Sequence, residues 1–360
     1  MKSPTQAHHH TLLPDEERYS RQVLFPGIGN AGQDLLGRAQ VAVVGVGATG
    51  AATASLLARA GVGRVTLIDR DFVEPSNLQR QILFDEADAL AALPKAEAAR
   101  RKILLFNSAV KVKAVIADLV PENIEALLAD ADLLLDCTDN FETRYLLNDF
   151  AVQQGVPWIY AAAVGAYAAT MNILPLTMPS PVAPTACLAC LFPEPPAGLG
   201  ETCDTSGILG TAVNFAASLQ ATEALKLLTH QHALMRRTLV SFDLWSGERS
   251  EISNAAPDPA CSVCFGRHFR YLEGKARPQI TLCGRDSVQI HEHRRVVDLR
   301  VLEQRLASHH DVEDLRTNAL LLRFQRGPYR VTVFPDGRAL IQGTTDPAVA
   351  RSLYARFLGP

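Results

Sequence analysis

The stretch Val41-Ala42-Val43-Val44-Gly45-Val46-Gly47-Ala48-Thr49-Gly50 decides the fold. Four apolar residues, the signature of a buried strand, run into G-x-G-x-x-G, and the small-residue stretch Ala51 to Arg59 that follows reads as a helix. The glycine pattern carries weight only between a strand and a helix, which is its setting here. Gly45 permits the tight turn, Gly47 lets a phosphate approach the backbone, and Gly50 lets the helix pack against the strand. The helix N-terminus then presents unpaired N–H groups and a partial positive charge to an anion. A second apolar strand, Val65-Thr66-Leu67-Ile68, ends in Asp69, whose carboxylate suits ribose hydroxyls. The pattern predicts a nucleotide site and leaves open whether the ligand is a dinucleotide or ATP.

Working outward, strand and helix alternate. Strands are expected at 110–117, 132–137 and 157–160, with helices at 96–105 and 121–129 and a third that runs past Asn140 and Arg144 and continues through 148–154. This βα rhythm predicts an α/β fold, a Rossmann-like, doubly wound, mostly parallel sheet. Upstream, residues 1–14 read as a disordered lead, 15–22 as a short helix, and Gly27, Gly29 and Gly32 as a loop. Downstream come a strand at 171–176, a proline-rich, mobile crossing segment at 175–200, a long helix at 210–228 and a strand at 238–243. The composition shifts at 275–278, which reads as a linker between a nucleotide-binding domain (15–274) and a small α+β domain (279–360). The small domain is expected to run strand (280–290), helix (299–307), three strands (319–324, 329–334, 339–343) and helix (347–358), with Asp336-Gly337 as a hairpin signal.

A net charge of -3 gives no bulk electrostatic case for nucleic acid or an anionic membrane. No apolar run reaches the roughly 18–20 residues of a membrane span, and the N-terminus lacks the apolar core of a signal peptide, so a cytoplasmic protein is expected. Seven cysteines in such a chain point to metal or thiol chemistry rather than a disulfide framework.

Two C-x-x-C pairs, Cys187/Cys190 and Cys261/Cys264, form a four-thiolate set that favours tetrahedral Zn²⁺ with no open coordination position, hence a structural site. The alternatives are four unconnected thiols or a redox pair. Cys137 and Cys283 fall in apolar strands and read as core residues. Asp69, Asp71, Asn77, Arg80, Lys95 and Asp139 all lie at predicted strand ends or just beyond, where ligands bind in open α/β sheets. Arg and Lys suit a triphosphate, and an Asp beside them suits Mg²⁺ held between a carboxylate and phosphate oxygens. A nicotinamide site needs the glycines and Asp69 but not these extra charges.

The motifs Arg18-Tyr19-Ser20-Arg21-Gln22, the glycine loop, Asp69-Arg70-Asp71, Ser76-Asn77-Leu78-Gln79-Arg80-Gln81, Pro94-Lys95, Asp136-Cys137-Thr138-Asp139-Asn140 and the two C-x-x-C pairs occur in one order. That order resembles the MoeB/ThiF/HesA group of the ubiquitin-activating-enzyme-like superfamily over residues 15–268. The resemblance implies ATP-dependent adenylation of the C-terminal glycine carboxylate of a small ubiquitin-like sulfur carrier ending in Gly-Gly. It implies that Gly45, Gly47, Ala48 and Gly50 form the ATP loop and that Asp69 holds the ribose beside Asp71. Ser76, Asn77, Leu78, Gln79, Arg80 and Lys95 would surround the phosphates. Asp139 would bind Mg²⁺ and be the residue most needed for chemistry, with Asn140 lining the pocket. Arg21, which alone reads as a solvated helix face, would reach the partner subunit's phosphates in a homodimer. Members usually carry a second glycine where this chain has Ala48, so a modest narrowing of the phosphate approach is expected. Cys203, outside the metal pairs, is a candidate acceptor of the acyl group as a thioester or acyl disulfide, or else a spare thiol.

Other readings are an NAD-dependent oxidoreductase using the same loop, a binding scaffold with a degenerate site, or a relative adenylating a peptide or a tRNA. Molybdopterin-synthase and thiazole-pathway members share every motif quoted, so the sequence leaves the carrier open. No Cys-centred loop follows Cys283, so sulfur transfer calls for a separate sulfurtransferase.

Overall fold

The computed structural model describes residues 15–178, 182–195, 207–274, 287–290, 296–318, 320–335 and 337–358. The lead, the linker, Cys203, Cys283 and Asp336 lie outside them. The chain divides into two compact units, one of residues 1–196 with 209–272 and one of 197–208 with 273–360.

In the first unit, α1 (Asp15–Arg18) and α2 (Gly29–Arg38) precede β1 (Gln40–Val44), α3 (Ala48–Ala60) and β2 (Arg64–Ile68). There follow α4 (Glu86–Leu90), α5 (Lys95–Phe106), β3 (Lys111–Val115), α6 (Ile124–Leu128), β4 (Leu133–Asp136), α7 (Phe141–Gln154) and β5 (Trp158–Val164). The unit ends with β6 (Tyr167–Ile173), α8 (Leu188–Leu191), α9 (Gly210–Leu228), β7 (Thr238–Asp243) and β8 (Arg249–Ser253). Among the described residues these strands make one eight-stranded sheet in the order β3-β2-β1-β4-β5-β6-β7-β8. Pairing is parallel from β3 to β5 and antiparallel from β5 to β8.

Strand side chains alternate between faces, and here both faces are covered. Val41, Val43, Val65 and Leu67 pack with α2, α3, α5 and α9, whereas Ala42, Val44 and Ile68 pack with α6 and α7. That explains why the parallel strands read as unbroken apolar runs.

Several expectations are corrected. The first helix stops at Arg18 and continues only as turns. Of the glycines read as a loop, Gly27 lies in a turn, whereas Gly29 and Gly32 belong to α2: Gly32 is inside it because a Cβ there would press to 3.2 Å from Ile28 and 3.3 Å from Thr229. The helix after the glycine loop starts at Ala48, three residues early. The proline-rich stretch read as a mobile crossing carries α8. Strand β8, Arg-Ser-Glu-Ile-Ser, was not expected: it is an exposed edge strand with no buried face to impose an alternating pattern.

In the second unit the described residues form a five-stranded antiparallel sheet, ordered β10-β11-β12-β13-β9. Its elements are β9 (Ser287–Ile290), α10 (Leu299–Ala307), β10 (Glu313–Thr317), β11 (Leu322–Arg326), β12 (Tyr329–Val333), β13 (Ala339–Gln342) and α11 (Pro347–Leu358). Leu322, Phe324, Val331, Val333 and Ile341 form its core with Leu302, Leu306, Leu353 and Phe357 of the helices. The polar edge strand β10 was missed because Leu315 is its one apolar residue, and the strand expected at 319–324 is instead Leu322–Arg326.

Close packing between α2 and β2 yields a stability test. A Cβ on Gly63 would overlap the Gly37 carbonyl, whereas one on Gly37 meets nothing within 4 Å. Gly63→Ala is expected to lower Tm by about 4–8 °C, as overpacking does, and Gly37→Ala to hold or raise it. Equal melting curves for the two variants would contradict this packing.

Candidate functional site

The order of the parallel strands reverses between β1 and β4, the point at which such folds have their ligand crevice, at the carboxyl ends of the strands. Gly45 turns the chain away from β1 at φ +82°, and a Cβ on it would lie 2.7 Å from the Cys137 carbonyl oxygen just after β4. A Cβ on Gly50 would overlap the Gly45 carbonyl. Gly47 is the N-cap of α3 and makes no side-chain cap, so the first amides of this 13-residue helix face the crevice. Ala48 is the first residue of that helix.

Asp69, at the end of β2, is buried. Its Oδ2 accepts the Val46 N–H at 2.6 Å and its Oδ1 accepts the Asp71 N–H at 2.7 Å, which ties the glycine loop to the end of β2. Burial raises its pKa, Lys95 opposes that and Asp71 adds to it. A carboxylate has about four acceptor positions, so these two bonds leave room for ligand hydroxyls. Lys95, the buried first residue of α5, donates from Nζ to Asp71 Oδ2 at 3.0 Å.

Arg70 forms an ion pair with Asp118 at 3.0 Å. Burial works against its charge, but Asp118, Asp71 and Asp139 outweigh that and raise its pKa. Asp139 is exposed in the loop after β4, within electrostatic range of both Arg70 and Arg144. The glycine loop, Asp69, Asp71, Lys95 and Asp139 therefore share one sheet edge. The 75–77 turn and the residues after it lie over the same loop. A Cβ on Gly210 at the start of α9 would meet the Gln79 carbonyl at 3.1 Å, and the Gln81 Nε2 is 3.8 Å from where a Cβ on Gly47 would be.

Within the turn, Asn77 is fully buried; its Oδ1 accepts the Glu74 N–H at 3.1 Å, and its Nδ2 has no partner. Arg80 is half-buried and donates to the Ser76 carbonyl at 2.8 Å. Leu78 packs against the core under the loop, and the Ser76 and Gln79 side chains are exposed. Asn140 serves as the N-cap of α7, its Oδ1 accepting from the Thr143 N–H at 2.9 Å.

Arg21 is not brought to this edge. It is exposed in the segment whose next residue, Gln22, bonds the Ala60 carbonyl at 2.8 Å, at the far end of α3. Thirteen helical residues separate that end from the glycine loop by about 20 Å.

Two features escaped the reading of the sequence. Asp136, fully buried at the end of β4, pairs with Arg144 at 3.3 Å and caps the Thr138 N–H at 2.9 Å, while Arg144 donates to the Thr138 carbonyl at 2.6 Å. Burial raises the Asp136 pKa against the pull of Arg144. This buried pair braces the loop that carries Asp139. Below it, Gln220 of α9 donates to the Asp136 and Ile159 carbonyls, both at 2.8 Å, and its Oε1 accepts from Thr53 at 2.9 Å and from the Cys137 thiol at 3.2 Å. Burial pushes the Cys137 thiol up, in keeping with a core residue. A buried polar residue on a mostly apolar helix face gives no spacing signal, but the i to i+8 interval from Asp136 to Arg144 was visible.

Away from the crevice, Cys187, Cys190, Cys261 and Cys264 converge, their sulfurs all within 4.8 Å of one another. Three of the sulfur pairs measure 3.8, 3.7 and 3.7 Å. Four sulfurs about 2.3 Å from a central Zn²⁺ in a tetrahedron stand about 3.8 Å apart, so the set fits zinc. The Asp258 N–H bonds the Cys190 sulfur at 3.4 Å and the Cys264 N–H bonds the Cys261 sulfur at 3.4 Å, as thiolates require.

Comparison with known proteins agrees with this geometry. The ThiF family model matches residues 19–263. The sulfur carrier protein ThiS adenylyltransferase of Bacillus subtilis (strain 168) is 42% identical over 346 residues, spanning 95% of this chain and 99% of that protein. The sulfur carrier protein adenylyltransferase of Thermus thermophilus is 36% identical over 249 residues, 69% of this chain and 90% of that protein. Among solved structures, E. coli MccB with MccA-N7isoASN superposes with a TM-score of 0.61 at 25% identity, covering 70% of this chain and 75% of that one. The chain belongs to the ThiF family.

Proposed function

We propose that this protein is an ATP-dependent adenylyltransferase that activates the C-terminal glycine carboxylate of a small ubiquitin-like sulfur carrier. The observation that carries the reading is the gathering of Lys95, Arg70, Asp71 and Asp139 at the strand edge that also holds the open N-terminus of α3. In the reaction a carboxylate oxygen attacks the α-phosphorus and pyrophosphate departs, leaving an acyl-adenylate. Both reactants are anions, so cationic groups must screen their approach. The carboxylate is already ionised at pH 7 and needs no general base. In this reading Asp69 receives the ribose hydroxyls, and Asn77, Arg80 and Lys95 hold the phosphates. Asp139 would hold Mg²⁺, which supplies neutralisation of the departing pyrophosphate.

Arg21, about 20 Å from its own glycine loop along α3, could serve this chemistry only in another subunit's site, which supports a homodimer. The relative named for ThiS aligns with 95% of the chain, too much to stop short of the second unit, whereas the Thermus relative aligns with 69%. The near full-length match to the relative named for ThiS supports a ThiS-type carrier. The four cysteines would hold a structural Zn²⁺ that pins 187–190 to 261–264, and sulfur would come from a separate sulfurtransferase. No helix among the described residues is long and apolar enough to cross a membrane, which accords with a cytoplasmic location.

Because Asp139 is exposed, its removal spares the fold. Asp139→Ala is expected to cut ATP–pyrophosphate exchange by at least about 100-fold with an unchanged circular dichroism spectrum. Full exchange in that variant would overturn the site assignment. For the cysteine centre, native mass spectrometry is expected to find one zinc per chain. Cys264→Ser should lose the metal and about 10 °C or more of Tm. A metal-free wild-type protein melting like the loaded one would remove zinc from the account.

A further inference from the structure

Asn148 is fully buried within α7, and no role described so far uses it. One side of that helix grips the chain on both sides of the cysteine centre. The Tyr145 hydroxyl donates to the Phe192 carbonyl at 2.6 Å, just after the first cysteine pair. The Asp149 Oδ2 accepts the Tyr271 N–H at 2.9 Å, and the Val152 carbonyl accepts from Arg267 at 2.9 Å, both just after the second pair. Between these anchors, Asn148 reaches the centre itself. Its Oδ1 accepts the Leu188 N–H at 2.9 Å, and its Nδ2 lies 3.7 Å from the Cys187 sulfur, within reach of the longer hydrogen bonds that sulfur accepts.

The orientation of this amide is fixed. The Leu188 N–H can bond only the amide oxygen, so the N–H₂ group has to face the sulfur. The sulfur it faces is the one with the least access to water. Cys187 is 1% exposed and packs within the apolar core between α7 and the sheet. Cys190 and Cys261 each receive a backbone N–H, from Asp258 and Cys264. Among the described residues, the donor outside the cysteine set that reaches Cys187 is Asn148. Four thiolates around Zn²⁺ leave the centre net negative, and negative charge in an apolar interior is costly unless donors surround it. A neutral amide offsets part of that charge without adding an ion, and partners of this kind orient metal ligands and tune the metal.

We infer that Asn148 is a positioning residue for the zinc centre, its Nδ2 donating to the Cys187 thiolate while its Oδ1 holds the Leu188 N–H and so aims Cys187 at the metal. This rests on the structural-zinc reading. It places the tuning group on α7 rather than on either cysteine segment. The helix whose first residues follow Asp139 therefore also completes the metal site.

The test is made on the full-length protein with two readouts, zinc affinity by competition with a chromophoric chelator and the absorption spectrum of the Co²⁺-loaded form. Asn148→Asp keeps the side chain's size and the oxygen that takes the Leu188 N–H, and it removes the N–H₂ group. Asn148→Leu keeps the volume and removes both bonds. Each is expected to weaken zinc binding by about 10-fold or more, as loss of such partners does. Each should also move the sulfur-to-cobalt charge-transfer band to longer wavelength, because a sulfur relieved of its hydrogen bond gives up an electron more easily. Tyr145→Phe loosens the same contact between α7 and the first cysteine pair without touching a sulfur. It should lower Tm and leave the cobalt band in place. If Asn148→Leu does not fold, Asn148→Asp carries the test alone. Wild-type affinity and an unmoved band in the folded Asn148 variants would overturn the inference, as would a Tyr145→Phe protein that matches them in both readouts. A wild-type protein that takes up neither Zn²⁺ nor Co²⁺ would instead overturn the zinc reading, a separate and distinguishable result.

Discussion

The buried carboxylate of Asp69 is the interaction on which the site depends. Its two oxygens take N–H groups from Val46, in the glycine loop, and from Asp71, in the charged segment beyond β2. Two stretches of chain that would otherwise move independently are thereby locked at one sheet edge. Desolvating the carboxylate raises its pKa, and the Lys95 ammonium nearby works in the other direction. The cation that would serve a phosphate thus also helps keep the carboxylate ionised. The Lys95–Asp71 contact at 3.0 Å extends the same arrangement to a half-exposed acid.

On the other side of the crevice a second buried pair does comparable work. Asp136 and Arg144 bracket Thr138, one capping its N–H and the other gripping its carbonyl. Removing one partner of such a pair would leave an uncompensated charge in the interior, typically a loss of about 3–5 kcal/mol. The pair is therefore better understood as a brace for the Asp139 loop than as a reservoir of stability. Gln220 fixes the same strand end from below and saturates its own amide in doing so. Asp139 itself is exposed, beside a Thr138 held on both its N–H and its carbonyl.

Legibility in the sequence followed burial. Strands β1, β2, β4 and β5 are covered on both faces and so appear as short apolar runs, and α9 was bounded to the residue because its packed face is mostly small and apolar, with only Gln220 and Glu223 as buried polar residues. Edge strand β8 was invisible because its side chains face water and need no pattern, and β10 because only Leu315 of its polar sequence packs against the core. The start of α2 was misread because Gly29 and Gly32 resemble loop residues, although Gly32 is there for its lack of a side chain. For the site, Asp69, Asp71, Lys95 and Asp139 could be foreseen from their places at strand ends. Gln220 could not, since its partners lie 61 to 167 residues away in the chain. The two C-x-x-C pairs were the plainest signal of all, because tetrahedral geometry fixes both residue type and spacing.

The central claim is that a peptide carboxylate meets the α-phosphate of ATP at this edge. The most direct measurement is the intact mass of a purified sulfur carrier ending in Gly-Gly after incubation with the protein, ATP and Mg²⁺. The account predicts a carrier heavier by one AMP, formed only when ATP is present and only when the terminal glycine is intact. A carrier of unchanged mass, together with tight binding of NADH and none of ATP, would contradict it.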